Sequence, residues 1–255
     1  MKRQVEWARG RPEESAMRNL ESAALGASGQ VRRARELCQQ AVELAQSHGL
    51  KEEAAGYIAS EAGLEAILGD DAEARQRAKK ALAISRGVGV RVGAAYALAH
   101  AGELAGAKTI ADDLKKQFPL STLRNAVDIP VIFALVEIRR GNSAHAVEIL
   151  QASQPYELGE YAGLTPAYVR GEAYLQLREG RRAAEEFQKI LDHRGLDPFD
   201  MPLATLGLGR AYVFQGDTTK ARSAYQDFFA LWKDADPDPD IPILKQGKAE
   251  YAKLQ

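Results

Sequence analysis

Six times along the 255-residue chain a small residue is followed twelve places later by alanine: Ser22 and Ala34, Ala62 and Ala74, Ala95 and Ala107, Ala134 and Ala146, Gly171 and Ala183, Gly209 and Ala221. Successive alanines lie 40, 33, 39, 37 and 38 residues apart. A period of that length marks a chain built from repeated supersecondary units, none of which can bury its apolar face alone. Seven places after the first small residue stands Gly29, Gly69, Gly102, Gly141 or Gly216; in the fifth copy the glycine, Gly180, comes two residues late. Each unit therefore reads as two antiparallel helices joined at a glycine turn.

The spacing has a physical cause. Helix axes pack about 8–10 Å apart depending on the side chains between them, so a small residue on each helix lets the pair meet while larger neighbours fill the flanks. In the fifth copy Gly171 and Ala183 leave the gap and Tyr174 and Phe187 fill it; in the sixth the same places hold Gly209, Ala221, Tyr212 and Tyr225. Glycine ends the first helix because the left-handed conformation there costs it least. Asp70, Asn142 and Asp217 follow such glycines and are expected to cap the second helix through a side-chain oxygen.

This pattern of small, aromatic, small and aromatic positions resembles the tetratricopeptide repeat. The resemblance implies an all-α, right-handed superhelical solenoid of about six hairpins over residues 13–233. Residues 1–12 are left as a short helix or linker, 234–242 as an Asp/Pro link and 243–255 as a C-terminal capping helix. Ala95, Gly102, Ala107 and Pro119 fit the pattern in the third copy, whereas Ala78 and Ala111 stand where a bulky residue is usual. Those middle units are expected to pack more thinly.

The strings "KKQFPLSTL", "QASQPYELG", "AYVRGEAYL", "EEFQKILDHRG" and the closing "QGDTTKARSAYQDFFALWKDADPDPDIPILKQGKAEYAKL" resemble the C-terminal repeat region of acidobacterial eukaryotic-like serine/threonine protein kinases. That resemblance implies a longer parent, with a kinase domain and often a membrane helix ahead of the repeats. Related repeat regions also follow winged-helix DNA-binding domains, and a stand-alone cytoplasmic adapter is the further alternative. The opening "QVEWARG" reads as one short helix with no partner upstream, in keeping with a larger protein.

No kinase chemistry comes with the resemblance: a glycine-rich loop with its strand lysine, H-R-D with a downstream Asn, and D-F-G are all missing from the sequence. "GVGVRVG", residues 87–93, lacks the G-x-G-x-x-G spacing and reads as a break between helices. His48, His100, His145 and His193 are scattered, with no metal-ligand spacing. Counted as a calcium loop from Asp236, the acidic tail would need glycine at Ile241 and a bidentate glutamate at Gly247, so it does not match. Pro237, Pro239 and Pro242 instead favour an extended link. No cofactor and no catalytic residue is expected in this chain.

Charge narrows the partners. Lys and Arg number 34 against 35 Asp and Glu, evenly spread, which leaves no basic patch for a nucleic acid or an anionic membrane. No apolar run approaches the 18 residues or so of a membrane span. The lone Cys38 reads as a small buried residue.

What remains is surface. In tetratricopeptide solenoids the first helix of each hairpin lines the concave side. That places Tyr96 and His100, then Val131, Leu135 and Arg139, among the candidate contacts for a protein or peptide ligand. Tyr168, Glu172 and Gln176 follow from the fifth copy, and Arg210, Val213 and Phe214 from the sixth. Val131, Leu135 and Val213 could equally pack between units. The lysine–asparagine carboxylate clamp of chaperone-binding repeats is absent, its places holding pairs such as Tyr168 with Glu172 and Leu206 with Arg210. The expected partner is an extended or helical peptide bound through aromatic and arginine anchors, with self-association as a further possibility.

Overall fold

The computed structural model describes residues 2–11, 13–196, 200–237 and 241–255, and every regular element in them is helical. After a short α1 (Lys2–Ala8), each copy of the sequence pattern folds as two consecutive helices: α2 (Glu14–Ala27) and α3 (Val31–Ser47), α4 (Lys51–Leu68) and α5 (Asp71–Ile84), α6 (Val88–His100) and α7 (Leu104–Gln117). The series continues with α8 (Ile129–Arg139) and α9 (Ser143–Leu150), α10 (Thr165–Gln176) and α11 (Gly180–Asp192), α12 (Asp200–Phe214) and α13 (Thr218–Leu231), and ends in α14 (Pro242–Ala252).

The small positions lie where the helices meet. A Cβ on Gly171 would sit 2.8 Å from the Phe187 ring, and one on Gly209 would sit 3.1 Å from the Tyr225 ring. Ser22 uses its slot differently, its Oγ donating to the carbonyl oxygen of Ala34 at 2.7 Å. All six partner alanines are buried, as are Ala78 and Ala111.

The six turns share one hydrogen bond. The amide of the residue after the left-handed position donates back five residues, from Gln30, Asp70, Glu103, Asn142, Glu179 and Asp217, at 2.8–3.0 Å; this bond satisfies a carbonyl at the helix end. Gly29, Gly69, Gly102, Gly141 and Gly216 hold positive φ, between 74° and 92°. In the fifth copy Arg178 takes that conformation, at φ 59°, seven places after Gly171. The turn is thus in register there too, and Gly180 is not its left-handed residue. Gly180 opens α11, where a Cβ would come 2.5 Å from the carbonyl oxygen of Ala211.

Capping follows the sequence at two sites of three. Asp70 Oδ1 accepts from the amide of Glu73 at 3.1 Å, and Asp217 Oδ1 from that of Lys220 at 3.0 Å. Asn142 instead donates its amide to Glu137 Oε2 at 2.8 Å, a charge-assisted bond that outcompetes a neutral cap.

The helices fall into two compact units, Met1–Glu103 with Asp234–Ile243, and Leu104–Lys233 with Leu244–Gln255. The N-terminal unit has a core rich in small residues, in which Cys38, Val42, Ala45, Ala54, Ala55, Ile58 and Ala59 meet Ala81 and Val90. Burial pushes the Cys38 thiol up, so it is inert as a nucleophile. In this unit the link returns to the first hairpin: the Asp236 amide donates to Gly29 O at 2.9 Å, and Asp236 Oδ2 accepts from the Arg32 amide at 2.7 Å, capping α3 from 204 residues away. Asp238, Pro239 and Asp240, part of the sequence-based reading of the link, lie outside the described residues.

The C-terminal unit is more aromatic, with Phe187, Tyr225 and Phe228 among its largest buried side chains. There α14 packs on the last hairpin. A Cβ on Gly247 would lie 3.3 Å from Leu206 and 3.4 Å from Phe228, the Tyr251 ring sits 5.6 Å from that of Phe229, and Glu250 Oε2 accepts from Arg210 Nε and from the Tyr225 hydroxyl, both at 2.9 Å.

Candidate functional site

The C-terminal unit sets α8, α10 and α12, the first helices of three successive hairpins, side by side. Helix α8 is apolar almost all round; Ile129, Val131, Ile132, Ala134, Leu135, Val136 and Ile138 are buried, as befits a helix enclosed by neighbours. Only its end emerges, and there Arg139 is exposed in the last turn, where a cation complements the helix dipole.

Helix α10 contributes a stripe at four-residue spacing, which keeps Tyr168, Glu172 and Gln176 on one face. The stripe rises from core to surface: Tyr168 is buried with its ring edge on Phe187 at 5.9 Å, Glu172 is half-buried, and Gln176 is exposed, its Oε1 accepting from Ser143 Oγ at 2.8 Å. Helix α12 contributes Arg210, whose side chain is 24 % exposed.

These residues converge on Glu172. Burial drives its carboxyl up to about 7, against the pull of the Arg210 and Arg139 charges and a hydrogen bond from the Tyr168 hydroxyl. Taking a carboxylate out of water disfavours its charged form, and here that cost outweighs two nearby cations. The group therefore changes charge near neutral pH.

The other candidates are placed elsewhere. Leu135 is 2 % exposed and Val131 5 %, so both serve the core and offer no surface to a ligand. Val213 and Phe214 are exposed at the end of α12, with the Arg178 guanidinium 5.4 Å from the centre of the Phe214 ring. Phe214 thus belongs to the rim beside the turn between α10 and α11. Tyr96 and His100 lie in the N-terminal unit, ring centroids 5.4 Å apart on α6; His100 is buried, and Tyr96 lies over Gly63 of α4.

Two buried ion-pair clusters went unread in the sequence. Arg170, 1 % exposed, donates to Glu186 through Nε at 2.7 Å and Nη2 at 2.6 Å, and through Nη1 to Glu157 Oε1 at 2.8 Å. Burial opposes the Arg170 charge, yet the two carboxylates hold its pKa above the ordinary arginine value. Lys189 also bonds Glu157, pinning the segment after α9. In the N-terminal unit Arg77 pairs with Glu61 and, at 2.7 Å, with Glu73, while Arg35 binds Glu65 through two nitrogens at 2.6 and 2.7 Å.

Both clusters use the same register. Glu61 and Arg170 each stand one place before the first small residue, and each pairs with a residue 16 places on, three past the partner alanine, with the charges exchanged. Opposite charges at that offset are the signal that could have found them.

The geometry of paired helices, shared turns and small contact positions has clear structural relatives. A tetratricopeptide repeat protein from Parabacteroides merdae ATCC 43184 aligns with a TM-score of 0.55 and 14 % identity, over 90 % of this chain and 83 % of that one. This is the tetratricopeptide-repeat fold. Yeast Tom70 aligns with a TM-score of 0.52 and 14 % identity over 99 % of this chain, which spans 57 % of Tom70. No protein-family profile matches the chain, and no curated protein matches it in sequence. The tetratricopeptide assignment therefore rests on the backbone and on the repeat register. Among the described residues no helix is long and apolar enough to cross a membrane, and no cluster of His, Cys, Asp and Glu could hold a metal ion.

Proposed function

We propose that this tetratricopeptide array is a scaffold that binds a protein or peptide, and that it is the sensory or regulatory region of a bacterial serine/threonine protein kinase. The observation that carries the binding reading is the meeting of Arg139, Glu172 and Arg210 from three adjacent first helices, with Gln176 exposed one turn beyond. Charged side chains held partly out of water on rigid helices are what a peptide-recognition face needs, since their desolvation is largely complete before the ligand arrives. The kinase reading is supported by the strings that resemble kinase-linked repeats. On this reading, ligand binding or self-association of the repeats brings attached catalytic domains together.

Selection of peptides from a displayed random library on the purified chain tests the binding reading. Enriched peptides should bind at micromolar affinity, about −8 kcal/mol, and lose affinity on Arg139→Ala; a library that yields no binder and a chain that does not self-associate would overturn it. The mass of the native polypeptide, read by immunoblot and peptide mapping of source cells, tests the kinase reading. A product well above 27.8 kDa with kinase peptides supports it, and one at 27.8 kDa makes the chain a free adapter.

A further inference from the structure

We infer that the Arg139–Glu172–Arg210 face is a site for an acidic peptide segment, whose side-chain carboxylates displace Glu172 as the partner of the two arginines. The inference deepens the proposed binding function and rests on it.

Three features of the structure point to this ligand. Glu172 and Arg210 each stand one place after the first small residue of their hairpins, Gly171 and Gly209, so adjacent helices present them at the same height. The Glu250 carboxylate engages Arg210 at Nε, while Arg210 Nη2 is buried with no hydrogen-bond acceptor among the described residues. A buried guanidinium N–H left without an acceptor is costly, and a ligand carboxylate supplies one. Arg139 is exposed beside it, so a chain carrying spaced carboxylates meets one exposed cation and one partly buried cation.

Glu172 occupies the place such a ligand wants. Arg139 faces it from α8, Arg210 from α12 and the Tyr168 hydroxyl from its own helix, with Glu250 of α14 and Tyr225 of α13 bonded to each other and Glu250 to Arg210. Charged, Glu172 repels an acidic segment; protonated, it leaves both arginines to the ligand. With its carboxyl up at about 7, the linkage relation makes affinity about tenfold weaker at pH 8 than at pH 6 if only the protonated form binds. Acidic side chains of the peptide stay ionised across that interval and add no slope of their own.

The test uses the full chain and a fluorescein-labelled hexapeptide of alternating aspartate and glutamate, amidated at its C-terminus, read by fluorescence anisotropy at low salt. We expect about tenfold tighter binding at pH 6 than at pH 8. Glu172→Gln should bind at pH 8 as the native chain does at pH 6, without pH dependence, and Arg139→Gln should weaken binding at pH 6 by about tenfold or more. Equal affinity at the two pH values, a pH dependence that persists in Glu172→Gln, or no binding at about 1 mM peptide overturns the inference. Displacement by inorganic phosphate at the peptide's own affinity overturns the peptide assignment in favour of a simple anion site. If library-selected peptides bind while the acidic probe does not, this inference alone fails; if no peptide binds, the proposed function fails with it.

Discussion

Arg170 grips Glu186 with two hydrogen bonds, at 2.7 and 2.6 Å, across the hairpin of α10 and α11. Arg77 reaches Glu61 across the hairpin of α4 and α5 from the mirror-image charge arrangement. One backbone geometry thus accepts either polarity, because what it fixes is the meeting of two side chains beside the small contact.

Removing the cation from the first pair should be costly. Arg170→Ala leaves Glu157, whose side chain is 2 % exposed, without its main partner; breaking a buried pair from one side typically costs about 3–5 kcal/mol. Urea unfolding checks this, with Arg182→Ala as the comparison: its ion pair with Glu179 is solvent-exposed, and such pairs contribute about 0–1 kcal/mol. Hydrogen exchange of the Glu157 segment should quicken in the first variant and stay unchanged in the second.

The close helix contact is testable at its alanine. Ala183→Leu should overpack the meeting of α10 and α11 and cost roughly 1–3 kcal/mol, whereas Ala72→Leu, at an exposed site on α5, should change stability within about 0.5 kcal/mol. Thermal melts of the two variants that coincide would contradict the repeat register.

At the fifth turn Arg178 carries a left-handed backbone that glycine adopts freely. The strain for a non-glycine residue is about 1–2 kcal/mol, partly offset by the Arg178 contact with Phe214. Arg178→Gly should therefore raise the midpoint of denaturation slightly, and Arg178→Val, branched at Cβ, should lower it. The reverse order of the two variants would show that the turn is set by the guanidinium and not by backbone strain.

Glu172 predicts a pH dependence of stability with a definite sign. Its folded value of about 7 lies above the ordinary 4.5. Between those values the folded chain keeps a proton that the unfolded chain has released, so stability contributed by this group falls as pH rises through the window. Glu172→Gln should match the native chain near pH 4 and exceed it at pH 8, by on the order of 1–3 kcal/mol once partial solvent access is discounted. Paired urea titrations at the two pH values decide it, and a constant offset between the chains would refute the assignment.

The helix pairs, their turns and their contact positions were legible in the residues, and even the fifth turn kept its register at Arg178 where glycine was missing. The cap at Asn142 was misread because its competitor, Glu137, is a neighbour on the preceding helix whose charge a local capping rule ignores. On the candidate face, sequence register alone put Leu135 beside Arg139, although the first is sealed in the core and the second stands in solvent. The ion-pair clusters escaped because a charged residue next to a small one looks like an ordinary solvated position until its partner 16 residues on is considered.

By itself the sequence determined which helices pair and where each hairpin turns, since the approach of two backbones tolerates nothing larger than Ser22, Ala183 or Gly209 at the contact. That constraint is local to a hairpin and is written within about forty residues. Only the tertiary structure decided that the chain divides after Glu103, that Asp236 caps α3, and that Glu172 lies between Arg139 and Arg210. Those outcomes depend on desolvation and on partners brought from distant helices, and a one-dimensional pattern carries neither.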